Sequence, residues 1–298
     1  MTTPQSGIFT EGNRTLHVLE YAIKPGVADA DVKAALAQAR ARVPGGVAHV
    51  LALGPALWKR LAPNAIPSGF ADFQPLSGPK AQAPATQRDI FVWLHGPARD
   101  DVMDVALGVD HALRGVGERT LDLPGFVYHD SRDLTGFVDG SANPKDIPAR
   151  QEAALIPTGQ PGAGGAFVLG QRWVHDLDAF NQLPVAAQER VIGRTKPDSI
   201  ELEGDAQPAD SHVSRTDLKI DGVAQKMYRR SFPYGTAGEH GLYFLAFACE
   251  QARFASVLNS MYGLTDDHVT DHLLSFSKPV TGSYWFAPSE EDLKKAVA

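Results

Sequence analysis

One carboxylate in the sequence lies in a glycine-rich bend. Asp139 belongs to the stretch DLTGFVDGSANP (133–144), with Gly136 before it and Gly140 directly after it. Asp-Gly is a common turn pair, because Asp tolerates unusual backbone angles and Gly adopts positive φ without a steric cost. Taken alone, the stretch is either an ordinary turn or a bend that holds a single carboxylate for acid–base chemistry.

Further groups that could do chemistry follow later in the chain. His212 lies in ADSHVSRTD, and Arg229 and Arg230 precede Ser231 in KMYRRSFPYG. A histidine can bind a metal or move a proton, and an arginine can bind an anion. Spacing alone also fits a turn histidine and a solvated pair of charges, since charged side chains are usually exposed.

A second histidine pair has metal-binding spacing. His268 and His272 are four residues apart on a predicted helix, beside Asp267 and Asp271. This spacing can bind a metal ion. The glutamate of the H-E-x-x-H pattern is missing, so the zinc-hydrolase interpretation is weak.

Composition excludes several classes of protein. The chain has 298 residues, 43% of them hydrophobic, with a net charge of -7, which argues against a nucleic-acid surface as the main function. Cys249 is the only cysteine, so an internal disulfide, a four-cysteine iron–sulfur site and a multi-cysteine zinc site are excluded. There is no C-x-x-C-H for a thioether-bound haem, and Cys249, in the apolar run LYFLAFACE, is predicted to be a buried hydrophobe.

The N-terminal stretch MTTPQSGIFTEGNRT has no basic region followed by an apolar one. No segment approaches the roughly 18 apolar residues of a membrane span. We therefore expect a cytoplasmic protein with no membrane partner.

Apolar periodicity predicts two halves, each with strands and helices. Strands are predicted over 16–23, 48–55, 89–96, about 126–130, 166–177 and 240–250. Helices are predicted over 29–43, 100–116, 185–194, 252–263 and 266–276, and an irregular stretch over 61–88. The fold class is α+β, with an antiparallel sheet and helices on one face in each half, and the boundary falls between Arg132 and Gly165.

Six stretches in a fixed order carry a family resemblance: GFVDGSANP, VIGRTKPD, SHVSRTDLK, RRSFPYG, HGLYF and SFSKPVTGSYWFAPS. Together they resemble the dye-decolourising peroxidase family, specifically its cytoplasmic B-type branch. The resemblance runs from SGI at 6–8 to SYWFAPS and is strongest from Arg132 onward. It implies two ferredoxin-like modules, which we place at 1–132 and 133–298, with haem bound by the second.

The resemblance implies non-covalent haem b, in agreement with the missing C-x-x-C-H. His212 is then the proximal iron ligand, and Asp271 accepts a hydrogen bond from the other ring nitrogen, which orients the ring. Under this interpretation, the His268/His272 pair loses its metal role.

On the opposite face of the haem the resemblance places Asp139 and Arg229. Asp139 would move a proton between the two peroxide oxygens, and Arg229 would stabilise the charge on the leaving oxygen. Strand alternation puts Arg229 and Ser231 on one face, so Ser231 would complete a distal polar cluster. We expect the Arg229 charge to lower the pKa of Asp139.

Three further residues are assigned to the cofactor. Asn143 would line the haem edge next to the Asp139 bend, and Arg194 and Arg215 are candidates for gripping the haem propionates. The implied partners are hydrogen peroxide, small-molecule reductants and further copies of the chain, as a dimer or larger homo-oligomer.

The leading hypothesis is a haem peroxidase that oxidises dyes, phenolics or other one-electron donors through a ferryl intermediate. One alternative is a protein that stores or delivers haem or releases its iron; it would use the same His212 but would not need Asp139 with Arg229. Another is an α+β ligand-binding or regulatory protein without haem, which predicts no haem absorbance near about 400 nm.

Overall fold

The computed structural model describes residues 2–298. Its strands are β1 (Thr15–Ile23), β2 (Ala48–Leu53), β3 (Leu76–Ser77), β4 (Gln82–Ala83), β5 (Ile90–Gly96), β6 (Gly117–Phe126), β7 (Ala166–His175), β8 (Lys219–Ile220), β9 (Val223–Ala224), β10 (Tyr228–Arg229), β11 (Phe232–Gly235), β12 (His240–Ala248), β13 (Ser277–Pro279) and β14 (Ser283–Ala287). Its α-helices are α1 (Asp29–Ala41), α2 (Pro55–Leu61), α3 (Arg99–Leu113), α4 (Ile147–Ala154), α5 (Leu177–Gln182), α6 (Val185–Ile192), α7 (His212–Thr216), α8 (Gln251–Met261) and α9 (Glu290–Ala296).

The first half builds an antiparallel sheet in the order β2-β5-β1-β6. β5 is buried along its whole length, because its residues IFVWLHG are covered on both faces of the sheet. α1 and α3 pack on each other and bury apolar stripes that include Val32, Leu36, Val105 and Val109. The buried positions of both helices recur every three or four residues, which is the amphipathic pattern of the sequence.

The second half repeats the plan with the order β10-β12-β7-β14, and β11 and β13 add to β12 and β7. Phe286 of β14 pairs with Leu53 of β2, which joins the two sheets into one of ten strands. One core cluster takes aromatic side chains from both halves, among them Trp93, Phe247 and Trp285. The α+β prediction with antiparallel sheets is confirmed.

Two predicted elements are wrong. The predicted helix over 266–276 is a turn followed by a 3₁₀ helix, His272–Ser275. Asp267 accepts hydrogen bonds from the Thr265 hydroxyl and the Val269 amide, and such side-chain bonds to the local backbone compete with helix formation. The strand predicted near 126–130 ends at Phe126, because His129 and Ser131 adopt positive φ.

The irregular stretch predicted over 61–88 contains the β3–β4 hairpin. Helices α2 and α4 were not predicted, and each begins with proline near its first position, a favourable start. Cys249 is buried, as predicted. Over residues 2–298, none of the helices combines the length and the apolar character needed to cross a bilayer.

Candidate active site

The glycine-rich bend places Asp139 in the lining of a cavity. The Asp139 amide donates to the Ser131 carbonyl at 2.9 Å, which closes the bend on itself. Gly136 and Gly140 have φ values of 89° and 74°, a region that side chains with a Cβ rarely adopt. A Cβ at Gly136 would also lie 2.6 Å from the Lys196 Cε atom. The bend therefore requires glycine at these positions.

The structure brings the predicted distal residues together. Asp139, Asn143, Arg229 and Ser231 line one cavity of ≈ 430 Å³. This volume lies within the roughly 300–1,000 Å³ of small-molecule and cofactor sites. The sequence motifs that contribute these residues are far apart in the chain, and the sheet joins them at one site.

The charge of the Asp139 carboxyl has few stabilising partners. Among residues 2–298, no side-chain donor hydrogen-bonds to it and it forms no direct ion pair. Burial and the charge of Asp133 raise the pKa of Asp139 above its usual range, although Arg229 acts in the opposite direction. Arg229 does act to lower this pKa, as expected, but the expected net lowering is wrong, because the loss of water around the carboxyl outweighs one arginine that is not in contact with it.

Arg229 is held by its backbone. The Asn143 side chain accepts from the Arg229 amide at 2.9 Å and donates to the Arg229 carbonyl at 2.8 Å. Within residues 2–298 the Arg229 guanidinium itself has no hydrogen-bond acceptor, and it faces the cavity. Burial lowers the pKa of Arg229, yet an arginine stays charged in proteins. Asn143 thus fixes a free cation at the site.

Ser231 lies at a break between β10 and β11. Its Oγ accepts from the Leu245 amide at 3.3 Å, which leaves the hydroxyl proton free to donate. Arg230 turns to other partners and donates to the carbonyls of Ile8 and Thr10, each at 2.7 Å. The choice of Arg229 rather than Arg230 as the unpaired cavity cation agrees with this geometry.

His212 and Asp271 form a directly bonded pair. The His212 Nδ1 atom lies 2.7 Å from an Asp271 carboxyl oxygen, and the Asp271 side chain is 0% exposed. The other Asp271 oxygen accepts from the Leu273 amide at 2.9 Å. In the described part of the chain the His212 Nε2 atom has no hydrogen-bond partner, so it is free to bind a metal.

His212 is the first residue of α7, whose N-cap Ser211 accepts from the Ser214 amide. α6 ends next to it at Gly193, where φ is 92° and a Cβ would lie 2.9 Å from the Ser211 Oγ atom. The glycine therefore allows the end of α6 to meet the start of α7.

The two arginines assigned to propionates differ. Arg194 donates to Ser199 and Glu201 through its two Nη atoms, and its charge acts on Arg229. Arg215 is buried and donates to Asp267, to Thr265 and to the Ser260 carbonyl. These four hydrogen bonds use most of the Arg215 donors and hold the turn before Asp271, so the geometry favours Arg194 over Arg215 as a propionate partner.

Sequence reasoning missed a hydrogen-bonded aspartate–histidine pair behind the bend. The Asp133 carboxyl lies 3.0 Å from His175 Nε2, and the two side chains are only 14% and 6% exposed. Asp133 stands in the same glycine-rich stretch as Asp139, which is the one signal that could have found it. His175 is 42 residues away, so its contact depends on the fold.

Across residues 2–298, no group of three His, Cys, Asp or Glu side chains is arranged to hold a metal ion. His268 has positive φ and His272 is in the 3₁₀ helix, so they do not share one α-helical face. The weak metal interpretation of this pair is not supported.

Family models and known proteins agree on the family. The model described as "Dyp-type peroxidase, N-terminal" matches residues 5–115, and "Dyp-type peroxidase, C-terminal" matches residues 130–292. The dye-decolorizing peroxidase of Mycolicibacterium paratuberculosis is 34% identical over 247 residues, which are 82% of this chain and 70% of that protein.

Solved structures are similar over nearly the whole chain. A dye-decolorizing protein from V. cholerae matches with a TM-score of 0.88 and 38% identity, covering 98% of this chain and 99% of that chain. A DypB variant from Rhodococcus jostii in complex with heme matches with a TM-score of 0.90 and 31% identity, covering 98% of each chain. The chain belongs to the Dyp-type peroxidase family and is a haem-dependent peroxidase.

Proposed function

We propose that the protein reduces hydrogen peroxide at a haem b bound between His212 on one side and Asp139 with Arg229 on the other. When bound, haem supplies the redox-active iron at which peroxide is reduced and small-molecule donors are oxidised. The observation that carries the proposal is a pair of oppositely charged groups in one cavity, Asp139 and Arg229, neither of which has a side-chain hydrogen-bond partner for its charged group among residues 2–298.

The residues present fit this cofactor. His212 offers a free Nε2 atom, and its Nδ1 atom is fixed by Asp271. Such a carboxylate partner sets the tautomer and orientation of the ring and raises its basicity. His212 does not line the cavity itself, but its ring is close enough to act on the pKa of Asp139, which supports assigning the two groups to one site.

Asp139 is the proposed acid–base group. Its ionised carboxyl takes the proton from one peroxide oxygen and returns it to the other, a role that contributes typically about 10²–10⁴-fold. The carboxyl must be ionised to start, and its raised pKa places the loss of activity at a higher pH than an ordinary aspartate would. The raised pKa makes the carboxylate a stronger base. It also means that the base becomes protonated, and activity is lost, at a higher pH.

Arg229 supports the same step with fixed positive charge. Its guanidinium stabilises negative charge on the departing peroxide oxygen, since a preorganised donor costs no rearrangement during reaction. The Ser231 hydroxyl donates to a water or peroxide oxygen beside it. Asn143 positions Arg229 through its two backbone bonds, in addition to lining the cavity edge.

Arg194 is the remaining candidate for a propionate. Its Nη contacts to Ser199 and Glu201 leave its Nε donor without a partner among residues 2–298. Its charge also reaches the Arg229 side of the site. An arginine in this place can add a charged hydrogen bond to a carboxylate.

The remaining parts of the proposal rest on the family resemblance alone. They are a homo-oligomeric assembly, the cytoplasmic B-type assignment, dyes and phenolics as donors, and a module boundary at residue 132. The stretch between the two family matches, residues 116–129, lies next to that boundary.

A visible spectrum tests the function. The protein is reconstituted with hemin and the Soret band is recorded before and after one equivalent of hydrogen peroxide. Conversion of the band within seconds, followed by its return when a phenolic donor is added, is expected. A band that barely responds would contradict the peroxidase and favour haem storage, and the absence of a Soret band would contradict the cofactor. Asp122→Asn, at a residue that does not line the cavity, serves as the control.

A further inference from the structure

Behind the Asp139 bend, three side chains form a hydrogen-bonded row. The Asp133 carboxyl contacts His175 Nε2 at 3.0 Å, and His175 Nδ1 contacts the Ser277 hydroxyl at 2.8 Å. Ser277 is 4% exposed. His175 ends β7 and Ser277 begins β13, and the two residues are paired in the sheet. The row thus connects the rigid sheet to the bend.

Asp133 closes the first turn of the bend. Its amide donates to the Phe137 carbonyl at 2.9 Å, and its own carbonyl accepts from the Gly136 amide at 2.8 Å. The second carboxyl oxygen accepts from the amide and the hydroxyl of Thr135. The backbone turn from Asp133 to Phe137 is therefore hydrogen-bonded to the residue that His175 contacts.

The Asp133 carboxyl is ionised. Burial acts to raise its pKa, but the charge and hydrogen bond of His175 and the Thr135 donors outweigh burial and lower the pKa to about 2. The resulting negative charge is one of the causes that raise the pKa of Asp139. A fixed anion therefore stands behind the acid–base carboxyl, with one histidine in contact with it.

We propose that Asp133 and His175 are positioning residues for Asp139: they fix its bend to the sheet and set the net charge behind its carboxyl. This proposal rests on the proposed function of Asp139. The serine hydroxyl can donate to His175 Nδ1 or accept from it, so the row keeps its hydrogen bonds whether the ring is neutral or charged.

The other charged groups around the row have partners elsewhere. Asp139 is faced by Arg229 from β10, by Asp133 from its own bend and by His212 from α7. Lys196 approaches Gly136 but donates to the Gln188 side chain. Arg132 pairs with Asp130 and also donates to backbone carbonyls on the outer side of the bend. Among these groups, His175 is thus the one whose ring directly contacts the Asp133 carboxyl.

The two substitutions Asp133→Asn and His175→Gln have opposite electrostatic effects. The first removes the anion behind Asp139, so Asp139 ionises at lower pH. The second leaves the anion without its histidine, so Asp139 ionises at higher pH. A merely structural role would slow the reaction in both variants without shifting their pH dependence in opposite directions.

The test is the second-order rate of reaction with hydrogen peroxide between pH 4 and 8 in haem-reconstituted protein. Relative to wild type, the midpoint of the acid limb is expected to fall by about half a pH unit or more in Asp133→Asn and to rise by a similar amount in His175→Gln. Shifts in the same direction, or no shifts, would overturn the proposal.

The chain contains a matched control. His17 Nε2 contacts Asp122 at 2.6 Å, and the His17 side chain is 6% exposed, like that of His175. This pair lies between β1 and β6, away from the cavity. Asp122→Asn is expected to leave the midpoint unchanged, and a shift equal to that of Asp133→Asn would show that any lost surface charge has this effect.

A second readout needs no haem. Hydrogen exchange of the Asp139 amide, which is bonded to the Ser131 carbonyl, is measured in the haem-free protein. Exchange at least about tenfold faster in His175→Gln than in wild type is expected, equal to about 1.4 kcal/mol of lost local protection. Unchanged protection would overturn the positioning role even if the wild-type protein reacted normally with peroxide. Failure of the proposed function would instead appear as an unreactive wild type.

Discussion

Asp271 and Asp139 are two carboxylates of one site with opposite surroundings. Asp271 is fully buried, and its two oxygens accept from His212 and from the Leu273 amide. Asp139 faces a cavity, and no side chain of residues 2–298 donates to it. A satisfied buried carboxylate holds another group in place, whereas an unsatisfied one costs stability and remains available to a substrate proton.

His212 and Arg229 differ in the same way. His212 has one nitrogen fixed and one free, which suits a ligand whose direction must not change. Arg229 has its backbone fixed by Asn143 while its whole guanidinium is free. The proximal side is built to orient an atom, and the distal side is built to present charges. The predictions below test this division, beginning with the largest effect.

His212→Ala removes the free Nε2 atom, so the protein is expected to lose its bond to the haem iron and the peroxide reaction is expected to fall below detection. The Soret spectrum after hemin addition reports the change. His272→Ala is the control, since His272 is near Asp271 but 47% exposed. A normal five-coordinate spectrum in His212→Ala would contradict the ligand assignment.

Arg229→Leu removes the Arg229 guanidinium from the cavity while leaving the Asn143 backbone bonds possible. The rate of reaction with peroxide is expected to fall by about 10²–10³-fold, the usual effect of losing one preorganised charge-stabilising donor. Stopped-flow measurements at neutral pH give the rate. Arg190→Leu, on the exposed side of α6, is the control; less than a tenfold loss in Arg229→Leu would remove Arg229 from the mechanism.

Asp271→Asn retains a hydrogen-bond acceptor for His212 but removes the negative charge. Because this residue acts through the ligand, a loss of about 10–100-fold in haem affinity or activity is expected, smaller than for the distal arginine. Hemin titration and resonance Raman spectra of the iron–histidine bond measure it. Asp210→Asn is the control, and an unchanged bond frequency would contradict an electronic role for Asp271.

Stability should change in opposite directions for the two carboxylates. In haem-free protein, Asp271→Asn is expected to lower the free energy of unfolding by about 1–3 kcal/mol, because it weakens a buried charged hydrogen bond. Asp139→Asn is expected to raise it, by on the order of 1 kcal/mol at pH 7, because the penalty of a desolvated charge disappears.

The sign for Asp139 follows from its raised pKa. Folding favours the protonated form, so the wild type loses unfolding free energy as the pH rises through the raised pKa. Asp139→Asn lacks that loss, and its advantage should vanish in acid. Urea unfolding at several pH values measures this, and an advantage that grows as the pH falls would contradict the burial argument.

The sequence was more informative about which residues form the site than about the local secondary structure. Asp139, Arg229 and His212 each stand in one of the stretches that carry the family resemblance, so that resemblance predicted their grouping before the structure. The turn at Asp267 could not, because its side-chain hydrogen bonds and its pairing with Arg215 depend on tertiary contacts. An apolar and polar pattern does not distinguish such a turn from a helix.

The direction of the Asp139 pKa shift was the second property that the sequence did not predict. The sequence indicates that Arg229 and Asp139 meet, but the pKa of Asp139 depends on how much water the fold removes and on Asp133 behind the bend. The contact of Asp133 with His175 follows from where β7 ends, which no local pattern specifies. The direction of a pKa shift is therefore a property of the packed site.

The most direct test of the account is the pH dependence of the reaction with hydrogen peroxide in wild type and Asp139→Asn, measured by stopped flow on haem-reconstituted protein. The wild-type rate is expected to fall tenfold per pH unit below a midpoint that lies above about 4, the ordinary value of an aspartate. Asp139→Asn should be slower by about 10²–10⁴-fold at neutral pH and should show no such midpoint. A wild-type midpoint at or below about 4, or the same midpoint in Asp139→Asn, would show that Asp139 is not the base.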